Sequence, residues 1–308
     1  MRGHLRLASV LIVIAALAAL AVAMDLRQGS VSGQNEEILQ KVLRTHVLTV
    51  GTISGNPPWS ITKPNGELDG YDIAIAKLIG HDLNAKVNFV VTSGAGRIPA
   101  LQTRKVDIVL AELNYTGARS LAVAYTQVYS NPISQFLVRA SSPYKTIESL
   151  NDPAVTLGYA LGGNEAQIWP VMLPKAKLQA FTTVADAEQA LLSGRVTATG
   201  ETDILNRELI KVHPGQLRAI NPAYIKGFVG IGLPYGDFDW WLWLDRWVAF
   251  FNYTGQNQKL WDQYMGGGSP LVAEEPGAHG AAVSARAPWP QPAAAPALWR
   301  SFGGVSAP

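Results

Sequence analysis

Residues 47–91 read VLTVGTISGNPPWSITKPNGELDGYDIAIAKLIGHDLNAKVNFVV. Val47-Leu48-Thr49-Val50-Gly51-Thr52 is rich in β-favouring residues and reads as a strand. Residues 51–59 form a loop of Gly, Ser and Pro, and Lys63-Pro64-Asn65-Gly66 is a turn, because Asn-Gly readily takes positive φ. Asp72 is placed to N-cap a helix that runs to Leu83. Ile75, Leu78, Ile79 and Leu83 fall at helical spacing along it. A second strand is predicted over residues 87–91. A strand, a helix and a second strand in close succession point to an α/β sheet with parallel strands.

The same alternation extends in both directions. Residues 36–43 read as a short leading helix, 98–102 as another, and 106–113 as a buried strand. The pattern restarts after Ser141. Residues 155–160 read as a strand, 164–172 as a helix and 178–181 as a strand. Thr183 and Asp186 then resemble a capping box that opens a helix with Val184, Ala187 and Leu191 on one face. Two α/β units in succession predict two lobes. The last ordered element is expected over 239–265, where Trp240, Trp243, Trp247 and Phe251 recur at spacings of three and four. That spacing predicts a face packed on a lobe, with a partner-binding surface as the alternative.

Composition narrows the function. Lys and Arg total 25 against 23 Asp and Glu, so charge gives no case for nucleic acid or for a polybasic membrane surface. The absence of cysteine excludes disulfides, thiolate metal sites, a cysteine nucleophile and a lipidated N-terminal cysteine. The five histidines form no ligand-spaced pair, so no metal site is expected. Ser93-Gly94-Ala95-Gly96-Arg97 lacks the ending of a P-loop, and no G-x-S-x-G elbow occurs. Arg2, His4 and Arg6 precede an apolar run at 7–22, and Ala21-Val22-Ala23 fits a cleavage site. Residues 1–23 therefore read as a secretory signal peptide, with a signal anchor as the competing reading. Residues 24–35 are polar and expected to be flexible. Residues 267–308 are rich in Gly, Ala and Pro, lack periodicity and are expected to be disordered.

A family resemblance rests on three motif groups. The first is Val50-Gly51-Thr52, Pro57-Pro58-Trp59-Ser60 and Gly66-Glu67-Leu68-Asp69-Gly70-Tyr71-Asp72. The second is Arg97-Ile98-Pro99-Ala100-Leu101-Gln102 followed by Lys105-Val106-Asp107-Ile108-Val109, and the third is Thr116-Gly117-Ala118-Arg119. Looser similarity continues through Gly162-Gly163-Asn164, Ser193-Gly194-Arg195-Val196 and 255–265. Their order and spacing make residues 48–266 resemble the periplasmic amino-acid-binding proteins of ABC importers (solute-binding protein family 3). The resemblance implies the type II periplasmic-binding-protein fold: two lobes, each a mixed sheet flanked by helices, joined by two hinge strands. The chain would leave lobe one near 131–135 and return near 227–232. Lobe one would hold 36–133 plus 229–266, and lobe two 134–228.

The implied function is capture of an amino acid or related small carboxylate by hinge closure, outside the cytoplasmic membrane in the periplasm. The implied partner is an ABC permease. The protein would be a monomer without cofactor, catalytic residue or nucleic-acid ligand. Arg119 matches the family arginine that pairs the α-carboxylate, for which a planar guanidinium offers two parallel hydrogen bonds. Asn114, Glu112 and Asn56 fall beside the cleft in the same alignment. Gly163 and Asn164 open a helix whose N–H groups suit an anionic group. Trp59 takes the place of a family aromatic, as an apolar wall or cation–π face. Arg97 lies in a segment resembling binders of acidic ligands. The family aspartate for the α-ammonium falls near Thr202, with Glu201 and Asp203 as neighbouring candidates. Two other readings share this fold. One is a cyclohexadienyl-dehydratase-like enzyme, whose acid would align with Leu205, a residue that cannot transfer protons, although Glu201, Asp203 and Glu208 lie nearby. The other is a sensory solute-binding module.

Overall fold

The computed structural model describes residues 37–271. The leader, the polar segment after it and the stretch beyond Leu271 lie outside the described residues.

The chain opens with α1 (Ile38–Thr45) and β1 (Val47–Thr52). A small hairpin of β2 (Ile61–Thr62) and β3 (Leu68–Asp69) precedes α2 (Tyr71–Asp82) and β4 (Lys86–Val91). Then come α3 (Arg97–Gln102), β5 (Ile108–Val109), α4 (Gly117–Ser120) and β6 (Ala124–Ser130). A second run holds β7 (Ile133–Arg139), β8 (Thr156–Ala160), α5 (Glu165–Met172), β9 (Lys177–Phe181) and α6 (Val184–Leu192). It continues with β10 (Ala198–Thr202), α7 (Asp203–Val212) and β11 (Leu217–Lys226). The chain then returns through β12 (Val229–Leu233) to α8 (Phe238–Tyr253) and α9 (Gln256–Met265).

Two five-stranded mixed sheets result, ordered β4-β1-β5-β12-β6 and β11-β7-β10-β8-β9. In the first, β1 runs parallel to β4 and β5, while β12 is antiparallel to β5 and β6. In the second, β8 is parallel to β9 and β10, and β7 is antiparallel to β10 and β11. Each sheet has its own core: Trp59, Tyr71, Tyr129 and Trp240 under the first, Phe136 and Trp169 under the second. The chain passes between the sheets twice, at 131–132 and 227–228. The crossings lie side by side: Gly227 N–H donates to Pro132 O at 2.6 Å and Asn131 Nδ2 to Gly227 O at 3.0 Å. A Cβ on Gly227 would stand 2.5 Å from Asn114 Oδ1 and 3.2 Å from Pro132 O, so a side chain there would displace Asn114 and crowd the neighbouring crossing.

Three expectations need correction. Gly70, not Asp72, is the N-cap of α2; Asp72 sits in the first turn and is fully buried. The strand predicted over 106–113 shrinks to Ile108–Val109, the two residues that pair with β1, and Glu112 beyond it takes a left-handed φ of 47° that rules out an extended run to 113. The final helix breaks in two at Gly255, whose φ is 72°. The tryptophan face of α8 does pack on the first sheet's core, with Trp240 and Phe251 buried and Trp243 and Trp247 partly so.

Candidate functional site

Between the two sheets lies a cavity of about 350 Å3. It opens at the carboxyl ends of the parallel strands, where α/β sheets usually present their ligand sites. The first sheet contributes the loops after β1, β4 and β5, and the second those after β8, β9 and β10.

Arg119 enters from α4. Thr116 caps that short helix, accepting from Arg119 N–H at 3.1 Å, which fixes where the side chain leaves the backbone. Its guanidinium donates to Asn114 O at 2.9 Å, and across the cavity to Gly162 O at 2.5 Å and Gly163 O at 3.0 Å. Burial lowers its pKa from the usual value. Arg97, at the start of α3, is 6% exposed. It donates to Gly94 O (2.9 Å), Ala111 O (2.7 Å), Glu112 O (3.3 Å) and Gly162 O (2.6 Å). With those carbonyls occupying it, Arg97 has little left for a ligand carboxylate. Burial, with Arg119 beside it, lowers its pKa to about 10. Both arginines thus meet the Gly162 carbonyl. Gly162 has φ 92°, and a Cβ there would stand 2.2 Å from Gly94 C, so glycine is required where the backbones of the two lobes meet.

Three carboxylates face these cations. Glu112 follows β5, and its N–H donates to Asp72 Oδ2 at 2.7 Å. Asp72 is held in turn by the Tyr129 hydroxyl at 2.8 Å. Asn56 Nδ2 donates to Glu112 Oε2 at 2.7 Å. Burial raises the Glu112 pKa to about 8 and that of Asp72 to about 7. Glu165 begins α5; its Oε2 is buried without a hydrogen-bond partner, and burial raises its pKa. Glu201 stands on β10, and burial, reinforced by Glu165 and Glu112, raises its pKa well above the ordinary value. The rest of the lining mixes small polar residues, including Ser54, Thr92, Ser93, Ser134, Thr182 and Thr183, with aliphatic Ile53, Leu161 and Val184; no aromatic ring lines the cavity among the described residues.

Asn56, Arg97, Glu112, Asn114, Arg119, Gly163, Asn164, Glu201 and Thr202 all border this cavity. Trp59 does not. Asn56 and Ser60 pair through both backbone bonds, at 3.0 and 2.9 Å. That turn sends Trp59 into the core, where its ring lies 5.5 Å from Tyr71 and 5.8 Å from Trp261. Asp203 also lies outside the lining: it starts α7 and pairs with Arg207 at 2.9 Å. Thr202 caps that helix, accepting from Leu205 N–H at 3.4 Å. Leu205 itself is buried in the second lobe's core. Sequence reasoning missed Glu165. Its signal was its place immediately after Asn164, in the first turn of a helix, where an acid is favoured. Among the described residues no group of His, Cys, Asp and Glu is arranged to hold a metal ion.

Two lobes, two adjacent crossings and a charged cavity between them define a hinged binding protein. The chain belongs to the bacterial extracellular solute-binding proteins, family 3, whose model matches residues 48–267. It is similar to an L-arginine-binding protein of Pseudomonas aeruginosa, 27% identical over 61% of this chain and 76% of that protein. It is also similar to a cyclohexadienyl dehydratase of the same organism, 25% identical over 67% of this chain and 76% of that protein. Among solved structures it resembles an ancestral amino acid-binding protein, a precursor of cyclohexadienyl dehydratase. That match has a TM-score of 0.69 and 30% identity, covering 74% of this chain and 99% of the other.

Proposed function

We propose that this protein captures an amino acid with a positively charged side chain and delivers it, from outside the cytoplasmic membrane, to an ABC importer. The observation that carries this reading is the charge count of the cavity. Glu112, Glu165 and Glu201 face Arg97 and Arg119. With every group ionised the cavity holds one negative charge in excess; burial holds the three carboxyls towards their protonated forms, and a bound cation is what would ionise them. A zwitterionic backbone adds none, so a ligand with a cationic side chain balances it. Unbalanced buried charge is costly, which makes that balance selective.

In this reading Arg119 takes the α-carboxylate. Glu201 stands in for the family aspartate and, with Glu165, receives the α-ammonium. Glu112, steadied by Asn56, receives the distal cation, and Asn114, Gly163, Asn164 and Thr202 close the polar wall. Trp59 and Asp203 act from behind, through the core and through α7. Residues 36–133 with 229–266 form one lobe and 134–228 the other, turning about the paired crossings. The protein acts as a monomer in the periplasm, and residues 1–23 are its export signal.

The second reading is dehydratase chemistry, favoured by the buried Glu165 carboxyl, whose Oε2 has no hydrogen-bond partner and which burial holds towards its protonated form near two arginines. Isothermal titration with L-arginine, L-lysine, L-glutamine and L-glutamate, alongside an assay for prephenate consumption, separates the two. Tight binding of arginine or lysine, lost in Arg119→Ala, supports the transport reading. Turnover of prephenate, with no amino acid bound, would replace it with the enzyme.

A further inference from the structure

Glu112 is held by the protein at three of its four polar atoms. Its N–H donates to Asp72 Oδ2 at 2.7 Å, its carbonyl accepts from Arg97 Nη1 at 3.3 Å, and its Oε2 accepts from Asn56 Nδ2 at 2.7 Å. Among the described residues no group donates to the remaining oxygen, Oε1. Asn56 is itself 6% exposed, and its place is set by two backbone bonds with Ser60, at 3.0 and 2.9 Å. The amide that covers Oε2 is therefore presented by a fixed turn, not by a side chain free to swing away.

The two cations that an amino-acid side chain can carry make different demands on such a carboxylate. Their charge is the same, so the excess negative charge of the cavity does not tell them apart. A guanidinium is planar, brings five N–H donors, pairs best with both oxygens of one carboxylate and rests its faces on aromatic rings. An ammonium is a compact charge with three donors, and one carboxylate oxygen with neighbouring hydroxyls can satisfy it. Asn56 leaves Glu112 one open oxygen, and no aromatic ring lines the cavity among the described residues. An ammonium is the more strongly hydrated of the two and needs oxygens to replace its water. Ser54 and Thr92, on the loops of the same lobe, line the cavity and offer hydroxyls for that purpose.

We propose that Asn56 determines which cation this protein accepts: by occupying Glu112 Oε2, it makes the distal subsite one for an alkylammonium, as in lysine and ornithine, in preference to the guanidinium of arginine. The inference rests on Glu112 receiving the distal cation in the amino-acid reading above, and it narrows that reading to one class of side chain.

The test is isothermal titration of the protein with L-lysine, L-ornithine and L-arginine. The wild type should bind lysine or ornithine about tenfold more tightly than arginine, or better. Asn56→Ala frees the second oxygen while keeping the backbone bonds to Ser60, and should bring the affinities for lysine and arginine towards parity. A residue that merely supported the fold would weaken all three ligands alike and leave their ratio where it was. Glu112→Gln keeps the size of the side chain and should also erase the preference, which keeps the proposal testable if Asn56→Ala does not fold. A wild type that binds arginine as tightly as lysine and ornithine, or a preference that survives in either folded variant, overturns the proposal and leaves the cationic amino-acid reading standing. Binding of none of the three overturns both.

Discussion

Asp72 shows how one buried residue can govern a site it does not line. It accepts from the Glu112 N–H and the Tyr129 hydroxyl, and so fixes the backbone that aims Glu112 into the cavity. Asp72→Asn replaces one acceptor with a donor in a fully buried place. It should cost about 1–3 kcal/mol in urea unfolding and weaken amino-acid binding in titration calorimetry. Glu112 carries a pH signature. Its pKa is raised from 4.5 to about 8 by burial, so the folded chain keeps a proton that the unfolded chain has released. That contribution to stability is complete below 4.5 and is lost as pH rises through about 8. Glu112→Gln should flatten the fall in melting temperature across this window. A cationic ligand favours the ionised carboxylate, so binding at neutral pH should release protons, detectable as a buffer-dependent heat, and less so in Glu112→Gln. Arg119→Ala should weaken binding, in titration calorimetry, by about 100-fold or more. Of these residues the sequence marked Arg119 through its motif, and Glu112 only by its place between two motifs. The support from Asp72 was hidden, because nothing local distinguishes a capping aspartate from a buried one.

Elements whose signals are local were readable. The Thr183–Asp186 capping box is present with both of its reciprocal bonds, Asp186 N–H to Thr183 Oγ1 at 3.1 Å and Thr183 N–H to Asp186 Oδ2 at 3.1 Å. The limits of β1 match the apolar run that predicts it. Strands whose identity depends on distant partners left little local trace. β10 reads Ala-Thr-Gly-Glu-Thr, without alternation, and is a strand because β7 and β8 flank it. The break at Gly255 and the early end of β5 reflect left-handed backbone at single residues, which helical periodicity does not report. Gly162 offers the test at this scale. Gly162→Ala places a methyl against Gly94 and strains a positive φ, so it should hold the lobes apart. Titrations against arginine, lysine and glutamine should show all three affinities reduced by a similar factor. A loss confined to one ligand would instead place residue 162 in a side-chain subsite.

For the molecule as a whole, the order of motifs across 48–266 was enough to imply two lobes and a cleft. In the proposed reading the identity of the solute could not be read from the sequence, because Glu112 and the pair Glu165–Glu201 come from different lobes and are brought to one cavity only by the fold. Closure itself is measurable. Small-angle scattering should show a smaller radius of gyration when arginine or lysine is added, and ligand at 100 times its dissociation constant should add about 2.7 kcal/mol of stability in thermal unfolding. Arg97 and Arg119 join the lobes through the Gly162 carbonyl, a protein-to-protein link. In the proposed reading Arg119 also meets the α-carboxylate that every amino acid carries, whereas Glu112 meets the group that differs between them. In evolutionary terms, a lineage built this way would tighten or loosen its hold at Arg97 to match the scarcity of a nutrient, and change its diet at Glu112 without rebuilding the clasp.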